Sequence, residues 1–290
     1  MKQTIKISLA LMCLLILGIA CSDDEPSIDP TIEINIKKKE FVENYVNIVL
    51  ASYEDSVTKL NELQIAVDAF VASPDESSFT TAKDAWLSSR EPYGQTEAYR
   101  FYDGPIDGAD GEPEGYINAW PLDEALLDYV SDGSGGQDLS DNRQNIINNS
   151  VEYPNLTKTV LKEISGYNDN ESNVTIGFHA IEFLLWGQDM TAPSAKMNGQ
   201  RAYTDYTTAT NAARRGQYLK VVTELLVDDL NTVVNQWKSG ASYRNSFLSM
   251  ASDDAITMIL TGAAKLSKGE LAGERMAVAV ENQDQEDEHS

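Results

Sequence analysis

The chain has 290 residues, of which 46 are Asp or Glu against 22 Lys or Arg, giving a formal charge of −24. A surface this acidic repels nucleic-acid phosphates and anionic lipid headgroups and gathers cations, so nucleic acid is set aside as a partner and a metal ion or other small ligand comes first. With 42% hydrophobic and 8% aromatic residues the chain can bury one large core or two small ones, which separates it from acidic disordered proteins.

Lys2 and Lys6 precede an almost wholly apolar run over 7–20, too short for the ~20 residues that span a bilayer, and the pattern reads as a signal peptide, 1–20. Leu17-Gly18-Ile19-Ala20-Cys21 resembles a bacterial lipobox, in which Cys21 is lipidated after cleavage; the alternative is an ordinary secretory signal with an incidental cysteine. Ser22-Asp23-Asp24-Glu25 resembles the surface-export signal of Bacteroidetes lipoproteins. Together these predict a cell-envelope, outer-membrane lipoprotein, surface-exposed and held to the membrane by acyl chains at Cys21. Cys13 leaves with the leader, so the mature body has no thiol for a disulfide, a nucleophile or a metal ligand.

Residues 21–39 are polar, contain Pro26 and Pro30, and read as a flexible tether. Phe41, Tyr45, Ile48, Val49, Ser52, Leu60, Leu63, Val67, Phe70 and Val71 then recur mainly at three- and four-residue steps, predicting a long amphipathic helix that ends near Ser73-Pro74. A second helix is predicted from Ser77 or Ser78 through Ala82, Ala85 and Trp86, with Pro92 kinking or interrupting it before Arg100. Over 102–120, Gly104, Pro105, Gly108, Gly111, Pro113 and Gly115 punctuate Asp103, Asp107, Asp110, Glu112 and Glu114, a turn-rich excursion of the kind that carries functional residues. Pro121 opens a short predicted helix, 122–130, that Asp132-Gly133 ends. Further helices are predicted over 144–150, 156–165, 174–186, 203–237 and 243–266, and strand-like alternation is scarce. The predicted class is therefore all-α, with two packed helical bundles over 40–168 and 169–290. Residues 281–290 read as a solvated acidic tail.

Only His179 and His289 are available as imidazoles. The H-E-x-x-H zinc-protease helix is absent, and no G-x-S-x-G elbow supports a serine triad. On a helix, His179 and Glu182 share one side, among Phe178, Ile181, Leu184 and Leu185. An imidazole and a carboxylate on one face make half of a metal site; the alternative is a buried His satisfied by Glu182 in a purely structural bond. Glu286-Asp287-Glu288-His289 supplies one Glu-x-x-His spacing, but a di-iron bundle needs two in the same order. The acidic loop carries oxygen ligands suited to calcium without EF-hand spacing.

The stretch Gly177-Phe178-His179-Ala180-Ile181-Glu182 resembles the G-x-H-x-x-E signature of the imelysin family, also known as the M75 peptidases. Ala85 to Arg90 with Tyr93, Thr96 to Phe101 with Gly104-Pro105, Glu114-Gly115 with Asn118 to Glu124, Gly269 to Met276 and Asp284 to Ser290 are similar to further segments of that family, in its order. The resemblance runs from about Phe41 to the end. It implies two packed bundles with the His-x-x-Glu helix at their junction, and a metal site of His179, Glu182, Glu97 and Asp123, with Arg90 and Arg100 nearby and Trp86 and Trp120 as walls. One imidazole with several carboxylates suits iron, zinc, manganese or calcium, and related domains in bacterial iron-uptake proteins favour iron. The alternatives are a charge network in which Arg100 pairs with a carboxylate and no metal binds, a metal-dependent peptidase with Glu182 or Glu97 as general base, and a binding module for a polymer or protein partner using Trp86 and Trp120. In this family the Asp-Glu-His-Ser segment lies inside the chain, so the resemblance also predicts that residues beyond Ser290 complete the second bundle.

Overall fold

The computed structural model describes residues 29–108, 113–130, 145–166 and 172–281. The leader, Cys21, the acids at 22–25, Asp110 and Glu112 of the loop, and the tail with His289 lie outside the described residues.

Helix α1 (Pro30–Ala72) opens on an Asp29 cap whose carboxylate accepts from the Thr31 N–H, with Pro30 in the first turn where its missing N–H costs nothing. It buries Val42, Val46, Val49, Tyr53, Ser56, Leu60, Leu63, Val67 and Phe70, a strict alternation of four- and three-residue steps. That is the seam of a helix lying nearly parallel to its neighbours. The sequence reading caught the second half of this seam but set the first half one position off. Phe41 and Ile48 are exposed, and Val42, Val46 and Tyr53 point inward. Helical structure also starts at Pro30, so the segment read as tether up to residue 39 contributes its last ten residues to α1.

Helix α2 (Glu76–Thr96) begins with a reciprocal capping box: the Asp75 carboxylate accepts from the Ser78 N–H and the Ser78 hydroxyl accepts from the Asp75 N–H. Phe79, Ala82, Trp86, Ser89, Tyr93 and Thr96 face inward with the same alternating step, and α2 packs along α1. Pro92 does not interrupt it. The continuous buried stripe on either side of the proline outweighs the one backbone bond it removes, because tertiary packing supplies most helical stability.

After a 3-10 turn over Glu97–Tyr99 come three short helices, α3 (Pro113–Ile117), α4 (Glu124–Leu127) and α5 (Lys158–Ile164). The stretch predicted as a helix over 144–150 is a series of turns over its described residues. Helix α6 (Gly177–Trp186) is apolar almost all round, and α7 (Ala212–Trp237) lies against α1, α3 and α6. The region predicted as one helix over 243–266 divides at Met250-Ala251 into α8 (Ser242–Ser249) and α9 (Ser252–Lys265). A π-helical stretch, Leu266–Ala277, and α10 (Val278–Glu281) follow. No strand occurs among the described residues, and the helices pack in bundles about one continuous apolar core into which α6 is sunk on all sides but the edge that carries His179 and Glu182. Among the described residues no helix is long and apolar enough to cross a membrane.

Candidate functional site

Helix α6 is positioned from both ends. At its start, Gly177 has φ +85°, and a Cβ there would lie 2.7 Å from the Ile117 carbonyl oxygen and 2.9 Å from that of Tyr116. Only glycine combines that backbone with so close an approach of α3. The Trp86 indole donates to the Phe178 carbonyl at 3.0 Å, tying α2 to the first turn, and the Tyr218 hydroxyl donates to Thr175 at 2.8 Å. Near the far end, Tyr206 donates to the Leu184 carbonyl at 2.5 Å. Phe178, Ile181, Leu184 and Leu185 are fully buried.

This leaves one edge of α6 for polar groups. His179 Nδ1 and Glu182 Oε2 are 2.9 Å apart, with the imidazole side chain 15% exposed and the carboxylate 40% exposed. The Trp120 ring stands edge-on to the imidazole, centroids 4.6 Å apart, carried there by a segment containing the cis Trp120–Pro121 peptide. A carboxylate on Nδ1 orients the imidazole and directs Nε2 away from the pair, an arrangement of the kind found behind metal-bound histidines.

The other residues predicted for a metal set have different partners. Glu97 is buried and pairs with Arg100 at 3.2 Å; the same guanidinium meets Asp107 at 3.2 Å and Glu114 at 3.1 Å. Asp123 caps α4, accepting from the Ala125 N–H at 3.1 Å. Among the described residues no three His, Cys, Asp or Glu side chains converge as a metal site. His179 and Glu182 therefore fit a metal only as a single ligand, the imidazole Nε2, with the carboxylate that orients it. The two general-base candidates diverge in the same way, Glu182 on the imidazole and Glu97 on Arg100.

Arg90 lies between these groups. Its guanidinium covers the Phe178 ring at 4.7 Å and donates to the Asn118 side chain at 2.5 Å. Burial pulls its pKa below the ordinary guanidinium range, opposed by the neighbouring Tyr93, Glu182 and Glu97 side chains, while Arg275 from the π-helical stretch adds to the depression. Trp86 is buried edge-on against Trp186 at 5.2 Å, a packing element, so Trp120 is the tryptophan in contact with the pair. Sequence reasoning gave no role to Asn118 and read Asp107 and Glu114 only as oxygen ligands of an acidic loop suited to calcium, whereas both meet Arg100. The signal was present in the acids spaced along the loop after Arg100, which need a cation once they turn inward.

One charge cluster elsewhere was not foreseen. Asp128 accepts from Arg201 at 2.6 Å and from Arg215 at 2.6 and 3.0 Å, and all three side chains are at most 3% exposed. The two guanidinium groups hold the Asp128 carboxyl below its usual range against the opposing effect of burial.

No curated protein matches the chain. A crystal structure of a protein from Parabacteroides distasonis ATCC 8503, provisionally assigned as an iron-regulated protein A precursor, is similar with a TM-score of 0.60 and 23% identity. The alignment covers 89% of this chain and 66% of that one, so the chain spans just under two thirds of the length of that neighbour. At this identity the likeness establishes the helical fold. The imelysin family model, that of the M75 peptidases, matches residues 49–290, which takes in the Gly177-to-Glu182 signature and most of both predicted bundles, and the chain accordingly belongs to the imelysin family.

Proposed function

We propose that this protein is a lipid-anchored envelope component that binds a metal ion, iron by preference, in its uptake or handling. The observation that carries the reading is the 2.9 Å contact between His179 Nδ1 and Glu182 on the one polar edge of an otherwise buried helix. The hydrogen bond to Glu182 offsets the cost of burying the imidazole, and a carboxylate-oriented histidine is what a borderline metal ion takes as an anchor. Support for iron comes from the provisional assignment of the Parabacteroides neighbour as iron-regulated. With Glu182 engaged on Nδ1, the described chain supplies one ligand through Nε2, and the remaining positions fall to water or to an iron-carrying ligand.

Calorimetric titration of the mature protein with Fe²⁺, Zn²⁺, Mn²⁺ and Ca²⁺, compared with His179→Ala, tests this. Removing the anchor is expected to weaken binding by at least the ~10–100-fold seen when even an outer partner of a metal-bound histidine is lost. Equal affinity in both proteins overturns the reading.

A further inference from the structure

The guanidinium of Arg90 is held in place without being neutralised. It lies 4.7 Å from the centroid of the Phe178 ring, 5.6 Å from that of Tyr93 and 5.7 Å from that of Trp86, and its Nη1 donates to the Asn118 side chain. Asn118 carries no charge, and among the described residues no carboxylate comes within ion-pair distance of Arg90, in a chain with 46 Asp and Glu. The aromatic faces attract the cation and fix the direction of its fork while taking none of its N–H groups. Nε and Nη2 have no acceptor among the described residues, and neither is sealed from solvent, so both can meet a ligand.

A second guanidinium adds to the same charge. Arg275, from the π-helical stretch, is near enough to act on Arg90 as a like charge, and among the described residues it too has no carboxylate at ion-pair distance. Two unneutralised cations side by side repel each other unless an anion joins them. By contrast, Arg201 and Arg215 share Asp128, and Arg100 holds three carboxylates. The unmatched pair lies beside the edge of α6 that carries His179. Phe178, under Arg90, is the neighbour of His179 in the first turn of that helix, and Asn118 is two residues from Trp120, whose ring meets the imidazole at 4.6 Å. His179 Nε2 likewise has no hydrogen-bond partner among the described residues and is not sealed from solvent.

Coordination and charge together select the class of ligand. One imidazole nitrogen gives a metal ion a single protein ligand, so the metal must bring most of its shell with it. A bare cation gains nothing from Arg90 and Arg275, whereas a chelate of net negative charge has free oxygens for their N–H groups. We propose that the site takes iron as an anionic carboxylate chelate of the ferric citrate kind, with His179 Nε2 on the metal and Arg90 and Arg275 on carboxylate oxygens of the chelator. A carboxylate matches the guanidinium fork with two parallel hydrogen bonds. Glu97 and Glu182 also act on Arg90 and limit the negative charge that the site tolerates, which disfavours the more highly charged phosphates.

This inference rests on His179 as the protein ligand of the metal, and the experiment separates the two. The mature chain and its His179→Ala, Arg90→Lys and Arg275→Gln variants are titrated calorimetrically with ferric citrate, ferric pyrophosphate, iron-free citrate and Zn²⁺. Ferric citrate is expected to bind about tenfold or more tightly than iron-free citrate or ferric pyrophosphate. Arg90→Lys keeps the charge and the stem but loses the fork, and Arg275→Gln changes a stretch that buries no residue, so the fold survives in the second if the first disturbs it. Each should weaken ferric citrate about tenfold more than it weakens Zn²⁺, the scale of one charge-assisted hydrogen bond. His179→Ala should weaken both ligands. Ferric pyrophosphate binding as tightly as ferric citrate, or no selective loss of ferric citrate in either arginine variant while His179→Ala still weakens Zn²⁺, overturns this proposal alone. Zn²⁺ and ferric citrate both indifferent to His179→Ala overturns the metal reading and this proposal with it.

Discussion

Glu97 and Arg100 meet at 3.2 Å in a pocket where both side chains are under one-fifth exposed, and Arg100 is also the counter-ion of Asp107 and Glu114. Three carboxylates on one guanidinium leave an excess of negative charge, and burial with its neighbours pushes the Glu114 carboxyl above its ordinary range. Replacing the hub with an apolar residue of similar length, Arg100→Met, is expected to cost about 3–5 kcal/mol, the usual penalty for leaving buried charges unpaired. Acid should partly repair the variant. The Glu114 carboxyl, already raised by burial, loses with the guanidinium the charge that holds it down, so the folded state keeps a proton that the unfolded chain has lost, and stability falls as pH rises through that range. Urea unfolding at pH 5 and pH 7 measures this; a variant equally destabilised at both would show that Arg100 acts by packing alone.

The assignment of Glu97 to Arg100 has a second consequence. If Glu97 were a metal ligand, Glu97→Gln would weaken metal binding as much as His179→Ala. With Glu97 bound to Arg100, the expected change in metal affinity is within about threefold, whereas Glu182→Gln, which loses the carboxylate on Nδ1, weakens it about 10–100-fold. Parallel titrations of the three variants distinguish a converging carboxylate set from an imidazole with one partner.

The first glycine of the signature is a steric requirement of the helix that carries His179. Gly177→Ala places a methyl 2.7 Å from the Ile117 carbonyl at φ +85°. The left-handed backbone costs ~1–2 kcal/mol and the overpacking a further ~1–3 kcal/mol. A loss of about 2–5 kcal/mol in chemical denaturation is expected, and because α6 must move away from α3, metal affinity should fall with it. A protein that loses stability but keeps its full affinity would indicate that the His179 edge does not depend on this contact.

What was readable in the sequence divides by range. Caps and stripes are local, so Asp75 with Ser78, Phe79 to Tyr93 and the His179-to-Glu182 spacing could be read from the chain alone. The register of the first half of α1 could not. Phe41, Tyr45 and Ile48 match the helical period as well as Val42, Val46 and Tyr53 do, and only α2, α7 and α9 packing on the helix selects between the two faces. The partners of the charged groups were the least legible part. Asp128 finds Arg201 and Arg215 across 73 and 87 residues, and nothing in local spacing links them. Glu97, read from the family resemblance as a ligand, lies three residues from a cation that reaches it first.

Glu124 provides a titration near neutrality that belongs to the fold. Burial, with Asp123 and Asp189 nearby and only partial compensation from Arg201, raises its carboxyl to about 7. The unfolded value is ~4.3, so between these two pH values the folded state holds a proton that the unfolded chain has lost. Stability therefore declines as pH rises through this window and is flat above it. Glu124→Gln, which keeps the shape and cannot ionise, should be more stable than wild type at pH 8 and nearly equal to it at pH 4.5. Urea midpoints at the two pH values provide the check, and identical pH profiles would remove Glu124 as the cause.

The buried cluster of Asp128, Arg201 and Arg215 joins the chain after α6 to α7, and its energetics depend on which member is removed. Asp128→Asn strands two guanidinium groups that are at most 3% exposed, and about 3–5 kcal/mol should be lost. Salt has little access to the cluster, so the loss should be nearly the same at low and high ionic strength, unlike that of the exposed Lys37 and Glu33 pair. Removing all three charges together, as Asp128→Leu, Arg201→Met and Arg215→Met, should recover much of the stability, because the desolvation of each ion disappears with its partner.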